Sequence, residues 1–103
     1  MTSALIVGPG VIRETVRLAA LEVPGVMRVG RGGPRWRDVI GGSPVRIRIR
    51  DGRVHVTVRL VARPRQQLVP LTAQVREAVG GAVVRLLALE LGAVTVVVDG
   101  VGA

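Results

Sequence analysis

The sequence predicts an α+β fold in the order helix, strand, strand, helix, strand. One three-stranded sheet carries two helices packed on one face and leaves a basic face open. Three observations carry this reading. Residues 45–50 and 53–62 alternate apolar and polar with period 2 around Asp51-Gly52, a two-residue hairpin signal. Two stretches opened by Pro9 and Pro70 repeat apolar residues at helical spacing. Val94, Val96 and Val98 then alternate again as a third strand, with Thr95 and Val97 on its other face.

In chain order, Ala4 to Val7 is expected as a short extended lead-in. Gly8-Pro9 starts a helix, with glycine as N-cap and proline at the first helical position. Ile12, Val16, Ala19, Ala20 and Val23 form its apolar face, while Arg13, Glu14 and Arg17 point elsewhere; Pro24-Gly25 stops it. Residues 28–44 are rich in Gly and Pro and read as a loop, with one helical turn from Trp36 to Ile40. Arg28, Arg31, Arg35 and Arg37 surround this single Trp. A stacking platform for bases is one reading of it; a Trp tucked over the core edge is the expectation, because the core has no other aromatic.

Across the hairpin, Val45/Val58, Ile47/Val56 and Ile49/Val54 should share the core face. Arg46/Thr57, Arg48/His55 and Arg50/Arg53 fall on the other, with Arg59 farther along it. A slip of one residue would bury at least four arginines, which fixes the register. The second helix is expected over about 70–88, with Leu71, Val75, Ala78, Val79, Ala82 and Leu86 as its buried stripe. Gly80-Gly81 should cost it about 1 kcal/mol each relative to Ala, so either the helix kinks or a neighbour comes close there. Val83, Val84 and Leu87 fall off that stripe. Together with Val97 they are expected to serve self-association. The third strand can lie beside either hairpin strand.

With 103 residues the chain reads as a single domain over 1–103. It is 49% apolar yet has neither Phe nor Tyr, so the core must be aliphatic, and the lack of Cys excludes disulfides and thiolate metal sites. All fifteen basic residues are Arg, against seven acidic ones. A GC-rich genome would inflate Arg, Ala, Gly and Val together, but that does not explain why several arginines share one sheet face. Arg85 and Glu90 interrupt the most apolar tract, and Ala4 to Val7 is too short for a signal segment. A cytoplasmic protein, peripheral at the inner face of the membrane at most, is expected.

Catalytic constellations are thin. His55 is the single histidine, and its hairpin neighbours are arginines rather than an orienting carboxylate. Ser3 and Ser43 lack a visible base, and no carboxylates stand at i, i+3 or i, i+4 to hold a metal. Neither an enzyme nor a cofactor nor a small-molecule substrate is expected. The face of Arg46, Arg48, Arg50, Arg53, His55 and Arg59 can be an ordinary solvated surface. Yet like charges placed opposite each other in a hairpin cost a few tenths to ~1 kcal/mol, which an anionic partner would offset. The absence of aromatics on that face favours an acidic protein or anionic lipid over RNA.

The sequence resembles the alkaline shock protein family, small envelope-stress proteins of Gram-positive bacteria. The resemblance runs from about residue 5 to 101. It is carried by Val11-Ile12, by Ala19-Ala20-Leu21-Glu22-Val23-Pro24-Gly25-Val26, by the hairpin from Val45 to Val56, by Val75 to Val79, and by Val94-Thr95-Val96-Val97-Val98-Asp99-Gly100-Val101. Two departures stand out: the family usually has Gly near the end of the second helix, where this chain has Ala88, and its acidic, Lys-rich surface is replaced by Arg. The resemblance implies a non-enzymatic, self-associating cytoplasmic protein held near the membrane by a separate anchored partner. A small RNA-binding module is the alternative that the basic face suggests.

Overall fold

The computed structural model describes residues 8–34, 36 and 40–102. Gly8 caps helix α1 and Pro9 opens it, and the helix runs Pro9–Leu21. Proline fits there because the first N–H groups of a helix have no partner within it and its fixed φ is already helical. Ile12, Val16, Ala19 and Ala20 are buried, the face that the spacing predicts. The lead-in at 4–7 lies outside the described residues.

After the Pro24-Gly25 stop comes a strand that the sequence pattern did not reveal, β1, Val26–Val29. It pairs antiparallel with the far end of the hairpin, Val26 opposite Ala62 and Val29 opposite Leu60. The hairpin itself is β2, Val45–Arg50, and β3, Arg53–Ala62. Its register is the expected one, from Val45 opposite Val58 to Arg50 opposite Arg53. Asp51 and Gly52 have φ of 53° and 75°, the two left-handed residues that a type I′ turn needs to match the twist of its strands. Helix α2 spans Leu68–Arg85, and β4 spans Leu91–Val101. β4 lies parallel beside β3, with Val56 opposite Val94 and Leu60 opposite Val98.

The sheet is therefore mixed and four-stranded rather than three-stranded. β3 is central, with β4 along one side and β2 and β1 end to end along the other. Arg59 marks the junction: its N–H donates to Pro44 O at 2.8 Å and its C=O accepts the Gly30 N–H at 3.0 Å. Both helices contribute to one aliphatic core with β3, in which Val16, Val58, Leu60, Val75, Val79 and Val83 are fully buried.

Three packing expectations are corrected. Val83, expected at a self-association surface, is 0% exposed in the core, whereas Leu86, expected in the stripe, is 75% exposed. The buried set advances by four residues, Leu71, Val75, Val79, Val83, and α2 ends at Arg85 instead of near 88, so Leu86 sits at the C-cap and turns outward. Ile49, expected in the core, is 67% exposed, and Ile47 is half-buried. Val54 opposite Ile49 is buried because β4 closes its other side at Leu91; Ile49 has a neighbour on one side only. Trp36, expected over the core edge, is 60% exposed; the turn expected at 36–40 lies partly outside the described residues. At Gly80 the helix continues without a break, and a Cβ there would meet the Leu91 side chain at 3.0 Å, the close approach that glycine permits.

Candidate docking face

The sheet face opposite the helices carries the basic residues, and strand alternation puts them there. Arg46, Arg48 and Arg50 project from β2 and Arg53 from the start of β3, all exposed. None of the four side chains forms a hydrogen bond or ion pair among the described residues. Arg50 faces Arg53 across the ladder, so like charge is stacked at the hairpin tip, and Arg48 faces His55.

His55 and Arg59, expected on the same face, are placed differently from the other four. The His55 ring lies over Gly92, where a Cβ would fall 2.4 Å from its Cε1. Its Nδ1 accepts the Ala93 N–H at 3.1 Å. The pairing of β3 with β4 is irregular between Val54 and Val56, and the imidazole takes the N–H there. This bond commits Nδ1 as an acceptor and turns His55 toward β4 rather than toward a nucleophile. Ser43, the nearest serine in sequence, is engaged with the backbone of Val45.

Arg59 was expected to stay exposed, yet its side chain is 37% exposed and stands 3.9 Å from the Asp99 carboxylate. The far end of the face is closed by the segment after β1. The Gly32 N–H donates to Asp99 Oδ2 at 3.0 Å, and a Cβ on Gly32 would fall 2.1 Å from the Asp99 carbonyl oxygen. Val61, also on this face, is buried. The open basic surface thus narrows to the hairpin half: Arg46, Arg48, Arg50 and Arg53.

One residue joins them that sequence reasoning left out. Arg13 of α1 lines a concavity of about 520 Å³ together with Arg46, Arg48, His55 and Thr57, and no acidic side chain lines it. No sequence signal connects Arg13 to β2, because more than thirty residues separate them and α1 reads as a helix for its apolar face alone. Among the described residues there is no group of three or more His, Cys, Asp and Glu able to hold a metal ion.

Of the residues expected at a self-association surface, Val84 is 49% exposed, Leu87 packs partly against the core, and Val97 is half-buried on the basic face beside Arg59. Leu18 and Leu86, both exposed, line a second concavity between α1 and α2 of about 500 Å³. No described helix is long and apolar enough to cross a membrane.

No family model matches the chain, and no curated protein matches it. Among solved structures, the fold is similar to MamM CTD. Its copper form aligns with a TM-score of 0.57 at 18% identity, over 89% of this chain and 85% of that one. A variant in its manganese form gives 0.57 at 19%, over 90% and 99%. A variant in a zinc form gives 0.54 at 19%, over 91% and 84%. Likeness at this identity is a likeness of fold, and it agrees with the α+β architecture read from the sequence.

Proposed function

We propose that this chain is a non-enzymatic cytoplasmic adaptor of the alkaline shock protein kind. In this reading it docks, through its arginine face, on an acidic partner protein anchored in the membrane, and it associates with itself through exposed apolar residues of its helices. One observation carries the docking half: four exposed guanidinium groups share one sheet face and none of them forms an ion pair among the described residues. An arrangement that costs folding energy through like-charge pairs is explained when a bound carboxylate offsets it. Self-association rests on Val84, Leu86 and Leu18, since Val83 belongs to the core. The link to envelope stress rests on the sequence resemblance. The MamM CTD metal forms raise a metal-responsive alternative, but a metal site needs a ligand cluster, and the described residues supply none of three or more.

The test is co-sedimentation with membranes from lysate containing the partners, for the wild type and for Arg46→Gln/Arg48→Gln/Arg50→Gln. Exposed single ion pairs contribute only ~0–1 kcal/mol, so the three must be changed together. Retention should fall several-fold and its salt dependence should flatten. Unchanged retention with an unchanged salt response rejects the face as the docking surface. The exposure of Trp36 favours a second reading, single-stranded RNA stacked on it. Tight RNA binding with a steep salt slope, lost in the triple variant, would replace the adaptor reading.

A further inference from the structure

We propose that the outer edge of β2 is a strand-addition site for an extended partner segment in which acidic and apolar residues alternate. The proposal rests on the arginine face being a docking surface and specifies what docks there. It starts from the backbone. In a hairpin with a two-residue turn, the residues flanking the turn form a hydrogen-bonded pair, and bonded and non-bonded pairs then alternate along the ladder. Arg50/Arg53, Arg48/His55 and Arg46/Thr57 are therefore the bonded pairs. The Arg59 N–H to Pro44 O bond falls on the same inward-facing set. The N–H and C=O groups of Val45, Ile47 and Ile49 consequently point away from β3, toward the open edge.

At one end this edge is closed. The Ser43 hydroxyl donates to Val45 O at 2.9 Å and accepts the Val45 N–H at 3.2 Å, satisfying both outward groups of that residue. Beyond it, the outward groups of Ile47 and Ile49 have no partner among the described residues. The side chains flanking these open groups differ between the two faces. Arg46, Arg48 and Arg50 stand on one side, with Arg13 reaching the concavity that Arg46 and Arg48 line. Ile47, half-buried, and Ile49, 67% exposed, stand on the other.

Charge selects the occupant. A second copy's β2 would set arginines against arginines along the new ladder, which like-charge pairing disfavours. β4 of a second copy has no charged residue over 91–98 to answer them. An incoming segment that alternates acidic and apolar residues meets every requirement at once. Its backbone pairs with Ile47 and Ile49, its carboxylates reach the guanidinium groups, and its apolar side chains cover Ile49. A lipid headgroup or an RNA strand offers no such backbone ladder.

The probe is a short fluorescent peptide alternating glutamate and valine, titrated into the full chain and followed by anisotropy. Three controls accompany it: the same peptide N-methylated at the residues whose amides face β2, a peptide of equal composition with glutamates and valines in two blocks, and a single-stranded RNA. The alternating peptide should bind, and N-methylation should weaken it by roughly tenfold or more, as expected for the loss of about two backbone hydrogen bonds. Ile49→Asp, at a position already open to solvent, should weaken it several-fold while the chain stays folded by circular dichroism. Equal binding of the N-methylated or block peptide, or no binding of any peptide, overturns strand addition while leaving general docking on the arginine face intact. Binding sensitive to N-methylation but unaffected in Arg46→Gln/Arg48→Gln/Arg50→Gln overturns the requirement for acidic residues and, with it, the arginine-face reading. RNA that binds more tightly and displaces the peptide also overturns the proposal.

Discussion

β2 and β3 are the two halves of one hairpin and carry the same alternation of apolar and polar residues, yet they have opposite fates. β3 buries Val54, Val56, Val58 and Leu60 almost completely, because it has strands on both sides and two helices over its apolar face. β2 buries Val45 and then loses cover, so that Ile49 is two-thirds exposed although it faces the buried Val54. A period of two states which face a residue occupies. It does not state whether anything covers that face, which depends on the strand's place in the sheet. In this chain one edge strand is also the arginine strand, so the uncovered apolar residues and the unpaired charges alternate along one short stretch.

The contrast can be broken most sharply at Val54 and Ile49. Val54→Ala should cost about 1–3 kcal/mol in urea unfolding, from lost burial plus a residual cavity. Ile49→Ala removes more carbon and should cost about 0.5 kcal/mol or less, as exposed substitutions do. If Ile49→Ala proves the more damaging, the edge is covered in solution and the open-edge account fails. A smaller effect sharpens the charge half of the comparison. Arg53→Glu turns the repulsive pair with Arg50 into an attractive one, and the unfolding midpoint should rise by the equivalent of a few tenths to ~1 kcal/mol. An unchanged midpoint would mean that the tip arginines do not strain the hairpin.

The smallest effect belongs to the exposed attractive pair on α1, the counterpart of that repulsive one. Arg17 Nη2 lies 2.6 Å from Glu14 Oε2, and the hydrogen bond from Arg17, with its charge, holds the Glu14 carboxyl below its ordinary value of 4.5. A depressed carboxyl pKa contributes stability above the unfolded value and loses it as the pH falls through the folded one. Glu14→Gln should therefore lower the melting temperature slightly at neutral pH, and the difference should fade as the pH drops below 4.5. A difference that persists in acid would point to helix propensity instead.

Much of this arrangement was legible in the sequence. Asp51-Gly52 fixed the hairpin register, and Gly8-Pro9 marked the start of α1 with its buried face. What escaped did so for identifiable reasons. β1 has four residues between Gly25 and Gly30, too few to display a period, and it forms because β3 offers it a free edge. Val83 and Leu86 exchanged roles because a stripe advancing by four residues drifts around the helix, and the choice between them depends on where the helix stops. The candidate face was legible at Arg46, Arg48, Arg50 and Arg53. Its limits were not: Asp99 engages Arg59 from β4 and Arg13 arrives from α1, both through contacts between residues far apart in sequence.

The junction at Arg59 bears on how this chain can vary. Because β1 and β2 are anchored separately on one side of β3, neither depends on the other for its register. The segment from about 33 to 43 joins two strands that are already fixed in place. Doubling the length of such a connection costs only about 0.6 kcal/mol in closure entropy. Insertions there can therefore add new surface beside the basic face while the hairpin keeps its pairing, whereas an insertion within β3 would shift three strands at once.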